Sequence, residues 1–211
     1  MKNYYILMAD IIESSHKDAK QLMKEFKEIA GKINKKHKES FFSPITITLG
    51  DEFQCVVRSL RAGFDIIFAF EEGIIDHDAN FKLRYVLNYG EIDTPINSKK
   101  AYGMLGDGLT EARDTLEKQK KSKERFIIKI EDPLREETIN MAFKLYQYVT
   151  DDWKPKDYYL VREFLELGDY KEVAKKLGKD SSLMWRRAES LAIEYYLEAK
   201  RLLILLSEKN T

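Results

Sequence analysis

The segment from residue 45 to residue 57 constrains the fold most, because it has the pattern of two short strands around an acidic turn. Apolar residues recur at every second position on both sides of the turn, and this period is typical of strands with one buried face. Gly50 lets the backbone reverse, and Asp51 and Glu52 follow at once. The segment predicts a β-hairpin whose tip carries two carboxylates. They are either solvated turn residues or ligands for a cation.

Length and composition bound the class of protein. With 211 residues and 44% hydrophobic content, the chain is long enough for one large packed domain or two small ones. A single cysteine, Cys55, excludes a disulfide framework and a cysteine-rich zinc site. The single cysteine favours the cytoplasm. No apolar run approaches the ~20 residues that a membrane helix requires, so we expect no membrane partner. Because 36 basic residues balance 36 acidic ones, a nucleic acid would have to meet a local basic patch.

The strongly apolar segment 3–12 is typical of a central strand buried on both faces, and Asp10 lies near its end. Burying a carboxylate costs several kcal/mol unless a cation or several donors satisfy it. Asp10 is therefore a candidate ligand for a cation. The alternative is that Asp10 has reached the surface and caps the following turn with Ser14 and Ser15.

Helices and strands alternate up to about residue 150. Amphipathic helices are predicted at 18–37 and 60–75, and an alternating strand at 82–90. The order strand, helix, strand, strand, helix, strand is that of the split βαβ, or ferredoxin-like, arrangement, an antiparallel sheet with helices on one face. A helix to about residue 120, a strand at 126–130 and a helix at 134–150 follow.

Residues 103–113 are rich in glycine and lead into a helix. Glycines let the backbone approach a neighbour closely, and a glycine-rich approach to a helix N-terminus is able to receive phosphate. No P-loop or dinucleotide fingerprint is present, so the alternative is a flexible loop before a capped helix. The mostly basic run at 118–125 is either a solvated turn or a surface that faces a triphosphate.

A different pattern begins at residue 151, and we expect two domains, at 1–150 and 151–211. The second domain is predicted to be all-helical. Its helices are expected at 158–167, at 170–177 and, as one long helix, from Ser181 to Leu206, with glycines after the first two.

Residues 169–187 resemble a helix-turn-helix, with Ala174 where two helices cross, Gly178 at the turn and Ser181 as the cap of the second helix. The window holds six basic and three acidic residues. The alternatives are a helical hairpin that serves only packing, or a dimerisation arm at 191–206. Arg187 stands where an apolar residue is often found. The predicted DNA contacts are Lys179, Ser182, Trp185 and Arg186, while Val173, Leu177, Met184, Ala188 and Leu191 would pack inside.

Residues 6–15, 48–54 and 106–113, together with the helix-turn-helix, resemble the SatD family. The resemblance spans nearly the whole chain. It implies a first domain similar to the catalytic domain of class III nucleotidyl cyclases, and the Gly-Asp-Glu-Phe tip is similar to that of diguanylate cyclases. The fold class expected from it is α+β, a ferredoxin-like cyclase-type domain followed by an all-α helix-turn-helix domain.

The resemblance also implies a site for a nucleoside triphosphate and two divalent ions, Mg²⁺ or Mn²⁺, held by Asp10, Asp51 and the backbone carbonyl of Ile11. Mg²⁺ prefers hard oxygen ligands and usually binds through one or two carboxylates plus phosphate oxygens. Two such ions would activate an attacking hydroxyl and stabilise the leaving pyrophosphate. The residues predicted to be catalytic are Arg113 and Glu52, and those predicted to contact the nucleotide are Gly106, Gly108 and Thr110, the last in place of the cyclase asparagine.

We therefore predict a transcriptional regulator, in which a cyclase-like domain binds a nucleotide with a divalent metal and a helix-turn-helix binds DNA. The alternative is a nucleotidyl cyclase or nucleotidyltransferase that uses two metal ions, with the C-terminal module serving dimerisation. A third hypothesis is a structural adaptor with a vestigial site. We expect a homodimer, because class III cyclases build their sites at a homodimer interface and the last helix has an apolar end.

Overall fold

The computed structural model describes residues 2–12, 19–48 and 50–208. The predicted cap formed by Ser14 and Ser15, and the predicted start of the first helix at Asp18, lie outside these residues. One five-stranded sheet has the order β2-β3-β1-β4-β5. The pairs β2-β3, β3-β1 and β1-β4 are antiparallel, whereas the pair β4-β5 is parallel. The strands are β1 Lys2–Ile12, β2 Phe41–Ile47, β3 Glu52–Val57, β4 Lys82–Ile92 and β5 Phe126–Lys129.

The order of β1 to β4 is that of the split βαβ arrangement predicted from the sequence, with β5 added beside β4. The chain is thus a mixed α/β protein. Among the described residues, no helix is both long and apolar enough to cross a membrane. The α-helices are α1 Ala19–Lys36, α2 Leu60–Asp76, α3 Asp107–Gln119, α4 Pro133–Asp152, α5 Tyr158–Leu167, α6 Tyr170–Leu177, α7 Ser181–Ser190 and α8 Ile193–Ser207.

Side chains that alternate along β1 give the sheet two apolar faces. Leu7 and Ala9 lie in the main core with α1 and α2, whereas Ile6 and Met8 lie in a second cluster with α3. The two helices of the predicted split βαβ unit, α1 and α2, therefore lie on one face of the sheet as expected. The amphipathic helix α3 covers the second face, because its apolar residues, such as Leu116, pack there.

Close backbone packing brings α3 onto β4. A Cβ atom on Gly108 would lie 2.5 Å from the carbonyl carbon of Gly90, and one on Gly106 would lie 2.5 Å from the carbonyl oxygen of Glu91. No side chain fits at either position. The side chain of Asn88 fixes the approach, since its Nδ2 donates to the carbonyl of Gly108 at 2.9 Å. Close packing thus accounts for two of the glycines that the sequence analysis assigned to nucleotide contact.

A buried ionic network crosses the main core. The guanidinium of Arg125 donates to both carboxylate oxygens of Glu71, at 3.0 and 2.8 Å, and to Asp151 at 2.8 Å. It also donates to the carbonyl of Leu83 and the hydroxyl of Thr150. The residue is 3% exposed, so the prediction that this end of the basic run is a solvated turn or faces a triphosphate is wrong. The network instead joins the start of β5 to α2 and α4.

The C-terminal helices share the main core with the sheet, because one continuous apolar cluster includes residues from both. The ring of Tyr196 on α8 lies 5.3 Å from that of Tyr146 on α4 and 4.9 Å from that of Trp153. The indole nitrogen of Trp153 donates to the carbonyl of Leu191 at 2.7 Å. The boundary expected near residue 150 therefore lies beside a shared core, and the division into two domains stays a prediction.

The single long helix predicted from Ser181 to Leu206 is wrong. Helix α7 ends at Ser190 and α8 begins at Ile193, and Ala192 between them has a φ of 51°, a left-handed conformation that non-glycine residues rarely adopt. The break leaves the carbonyl of Leu191 outside the helical hydrogen-bond pattern, where it accepts from the Trp153 indole. Tertiary packing thus overrides the helical periodicity at this point.

Candidate functional site

Glu52, Asp10 and Arg84 form a row of side chains across the sheet. Asp10 is the register partner of Glu52 on β3 and of Arg84 on β4. Residues directly opposite on neighbouring strands have their side chains on the same face, within contact distance. This face is the one that α3 covers, so α3 and the residue after it bring Arg113 and Lys120 to the row.

The two buried carboxylates of the row are paired with cations. Arg84 donates from Nε and Nη2 to the two oxygens of Asp10, at 2.8 and 3.0 Å. Arg113 donates to Glu52 at 3.2 Å, and the Nζ of Lys120 lies 3.9 Å from an Asp10 oxygen and 3.8 Å from a Glu52 oxygen. Asp10 is 2% exposed and Glu52 is 7% exposed. Bidentate pairing with arginine is among the strongest charged contacts available to a carboxylate.

Burial raises the pKa of the Asp10 carboxyl above its ordinary value. The hydrogen bonds and charge of Arg84, and the charge of Lys120, act in the opposite direction, while the nearby charge of Asp51 adds to the increase. Desolvation outweighs the cations here because the carboxyl is almost completely removed from water. The ionised form of Asp10 therefore depends on Arg84, which donates to both of its oxygens.

Sequence reasoning singled out neither Arg84 nor Lys120. A signal for Arg84 was present, since the apolar alternation of Leu83, Tyr85 and Leu87 places Arg84 on the opposite face of the strand. Lys120 belongs to the basic run at 118–125, which the sequence allows to be either a solvated turn or a surface that faces a triphosphate. Neither signal reveals that these cations meet Asp10, because that depends on which strands are neighbours.

The carboxylates as arranged do not fit the two divalent ions that the resemblance implies. A divalent ion would have to compete with Arg84 for the carboxylate, because both oxygens of Asp10 accept from that residue. Ile11 and Asp51 are neighbours, since the Ile11 amide donates to the Asp51 carbonyl at 3.0 Å, and the side chain of Asp51 is exposed. Among the described residues no group of three or more His, Cys, Asp or Glu side chains is placed to hold a metal. The metal site stays a prediction.

Beside the row, a cavity of about 420 Å³ opens under α3. Gly106, Thr110 and Arg113 line it, so the structure brings together three residues that were predicted to lie at a nucleotide site. Gly108 is not among its lining residues and Glu52 contacts it only through Arg113. The volume is within the range of small-molecule sites.

The walls of this cavity are partly apolar and partly polar. Met8 and Leu109 are buried, whereas the ring of Tyr102 is 63% exposed. Gln54 and Thr48 supply polar groups, and the hydroxyl oxygen of Thr48 is buried without a hydrogen-bond partner in the described part of the chain. An unsatisfied buried hydroxyl is uncommon and is often explained by an absent water or ligand. The cavity thus offers an aromatic surface, hydroxyl groups and the Arg113 cation to one ligand.

A turn of Gly178, Lys179 and Asp180 joins α6 to α7. Gly178 has a φ of 61°, the left-handed conformation in which glycine is favoured after a helix. The side chain of Asp180 accepts from the amide of Leu183 at 3.0 Å, so Asp180 caps α7. The predicted cap, Ser181, is instead the first residue of the helix, because the aspartate reaches the free amides from one position earlier.

Helix α7 exposes the side chains that the sequence analysis predicted to face DNA. Ser182, Trp185 and Arg186 are exposed, and Trp185 is 50% exposed. Met184 is buried between them. The predicted orientation of the helix is therefore confirmed, whereas contact with DNA is untested. The other residues predicted to pack inside are buried (Val173 and Leu191) or half-buried (Leu177 and Ala188).

Arg187 turns inward and explains the departure noted in the sequence. Its guanidinium donates to Asp157 at 2.7 Å, so a charged residue is accommodated where an apolar one was expected. Lys176 is also paired, with Glu163 at 2.6 Å and Glu166 at 2.9 Å. The local excess of positive charge is therefore carried by the remaining basic residues of α6, the turn and α7.

Comparison with known proteins gives a family and a partial structural likeness. No curated protein matches the chain. A solved structure that matches is described as the catalytic core of a rhodopsin-guanylyl cyclase with converted specificity in complex with ATPalphaS. It is 20% identical, with a TM-score of 0.33, and the match covers 55% of this chain and 73% of that chain. The SatD family model matches residues 4–206. Since this match covers nearly the whole sequence, the chain belongs to the SatD family.

Proposed function

We propose that this protein is a DNA-binding regulator that contacts DNA through α7 and the turn before it. The observation that carries the proposal is the surface of α7, where polar, aromatic and basic side chains are exposed while Met184 anchors the helix inside. A recognition helix of a helix-turn-helix lies in the major groove with its N-terminal residues against base edges. Ser182 is exposed in the first turn of α7, and Trp185 and Arg186 are exposed in the turn that follows.

Two basic groups of this surface are available to phosphate or base edges. Lys179 is exposed and has no side-chain partner in the described residues. Arg186 donates from Nε to the carbonyl of Ser182 at 3.3 Å, so its terminal nitrogens are free in the same described part of the chain. Neutralising phosphates with such groups supplies most non-specific affinity for DNA, and arginine is the commonest reader of guanine.

Replacing Arg186 with alanine should weaken binding to a duplex about tenfold, because one charge-assisted contact is lost. Lys179→Ala should weaken binding by a smaller factor. The measurement is fluorescence anisotropy of a labelled duplex of mixed sequence at about 50 mM salt, where non-specific contacts are strong enough to detect.

Lys27→Ala is the matched control, because it removes the same charge from the exposed face of α1. It should change the affinity less than about twofold. Failure of the wild-type protein to bind any duplex would contradict the proposal. An equal loss for Lys27→Ala and Arg186→Ala would also contradict it, since binding would then follow net charge alone.

The cavity under α3 favours a second activity, the binding of a nucleoside triphosphate without a metal ion. Its Arg113 would contact phosphate, Tyr102 would stack on a base, and the unpartnered hydroxyl of Thr48 would accept or donate a hydrogen bond. The pairing of Asp10 with Arg84 supports binding more than two-metal catalysis, because it occupies the acid that the catalytic hypothesis needs. Ligand binding in this cavity would be the event to which the regulator responds.

Addition of ATP or GTP should raise the thermal unfolding temperature of the protein, and EDTA should not remove the effect. A ligand at 100 times its Kd stabilises a folded protein by about 2.7 kcal/mol. Arg113→Ala should weaken binding about tenfold through the lost phosphate contact, whereas Lys118→Ala, on the same helix, should not. Absence of any shift would contradict nucleotide binding, and a shift abolished by EDTA would contradict the metal-free mode.

A further inference from the structure

Helix α4 leaves large apolar side chains exposed on one stripe. Leu134 is 74% exposed, Met141 53%, Leu145 62% and Tyr148 83%. At about 3.6 residues per turn, these four lie within a stripe roughly 60° wide. The opposite side of α4 packs in the main core through residues such as Phe143. A stripe of four large, exposed apolar side chains on one helix is typical of an interaction surface.

Helix α8 runs antiparallel beside α4. Arg135 near the start of α4 donates to the carbonyl of Leu206 at 2.7 Å, near the end of α8. At the other end, the rings of Tyr146 and Tyr196 are in contact. Helix α8 also exposes apolar side chains: Tyr195 at 70%, Leu202 at 41% and Leu205 at 56%.

We propose that this surface binds a second copy of the chain, with the two α4 helices antiparallel across a two-fold axis near Met141. Leu134 and Tyr148 are equally far along the sequence from Met141. A two-fold axis at Met141 therefore places Leu134 opposite Tyr148 of the second copy, and Met141 opposite itself. Such a self-complementary arrangement is what a two-fold interface requires.

Two opposite charges select this partner and this orientation. Glu137 and Lys144 lie along the same edge of the apolar stripe, almost symmetrically about Met141. Because the same edges face each other in an antiparallel pair, Glu137 meets Lys144 of the second copy, twice per dimer. A parallel pair would instead bring opposite edges of the stripe together, so Glu137 and Lys144 of the two copies would not meet.

Both charged groups are accessible for these contacts. Glu137 is exposed and has no partner in the described part of this chain. Lys144 is paired with Glu124 at 2.7 Å, but its side chain is still 60% exposed. The pairing requires neither a nucleotide nor DNA. It would give the dimer two α7 helices, which is the arrangement that reads a DNA site with two half-sites.

The test is the molar mass of the wild-type protein and its variants by light scattering after size-exclusion chromatography. The measured molar mass of the wild-type protein should be twice that of one chain, which is 24.8 kDa. Met141→Glu and Leu145→Glu should each raise the dimer Kd more than about tenfold, because each buries a charge at the interface. Tyr159→Glu is the control, since Tyr159 is 57% exposed on α5 and away from the stripe.

Charge exchange separates the proposed pairing from unspecific apolar association. Glu137→Lys alone and Lys144→Glu alone should weaken the dimer, and the double exchange should restore it. Circular dichroism should show an unchanged fold in every variant, because all these side chains are exposed. A wild-type monomer at all concentrations, a dimer unaffected by Met141→Glu, or a double exchange that fails to restore the dimer would each overturn the proposal.

Discussion

Replacing Arg125 with methionine should lower the free energy of unfolding by about 4 kcal/mol. The guanidinium is 3% exposed and satisfies both oxygens of Glu71 and one of Asp151. Methionine has a similar length but no charge and no donors. Glu71 would keep the hydrogen bond from Tyr85, at 2.9 Å, and lose the cation that neutralises it.

Urea unfolding followed by far-UV circular dichroism measures this effect. Lys129→Met is the control, because Lys129 forms a comparable ion pair with Glu111 at the surface, where both side chains are at least one-third exposed. Surface pairs contribute about 0–1 kcal/mol. Adding Glu71→Gln to Arg125→Met should recover part of the loss, since the unpaired buried charge is removed. A loss for Arg125→Met no larger than that for Lys129→Met would contradict the role given to the network.

The network also links the sheet to the C-terminal helices. Arg125 contacts Asp151 and Thr150 at the end of α4, and Trp153, directly after α4, donates to Leu191 at the break between α7 and α8. A change in the position of α4 would therefore reach the segment that carries α7.

The local elements of this fold could be predicted from the sequence, because periodicity is a local property. The alternation at residues 45–57 predicted β2 and β3, and the apolar spacing from residue 170 predicted which side of α7 is buried. The placement of α3 could not be predicted. It depends on the contact of Gly108 with Gly90, and a glycine in a sequence does not identify its neighbour.

The candidate site was predicted in composition and not in arrangement. Asp10, Glu52 and Arg113 were singled out, and the structure brings them together with Arg84 and Lys120. The sequence does not predict the pairing of Asp10 with Arg84, because the two residues are 74 positions apart. Their meeting is set by strand order and register, and a shift of one residue would move Arg84 to the other face of the sheet.

Arg84→Met should lower the free energy of unfolding by about 3 kcal/mol, because it leaves the carboxylate of Asp10 buried with one distant cation. Lys120, at 3.9 Å from the Asp10 oxygen, compensates only partly, which makes the loss smaller than for Arg125. Arg61→Met is the control, since its ion pair with Asp65 is about one-third exposed and should contribute less than about 1 kcal/mol.

The double variant Asp10→Asn/Arg84→Met decides what the pair does in the wild-type protein. If Arg84 stabilises the fold by neutralising Asp10, the neutral amide removes the need for it, and the double variant should be more stable than Arg84→Met alone. If the Asp10 carboxylate instead binds a metal ion and Arg84 does not contribute to stability, the Arg84→Met variant should be as stable as the wild-type protein. Mg²⁺ should then stabilise both the variant and the wild-type protein. Urea unfolding with and without Mg²⁺ distinguishes the two results. The bidentate geometry of the pair, in which both Asp10 oxygens accept from Arg84, favours the first.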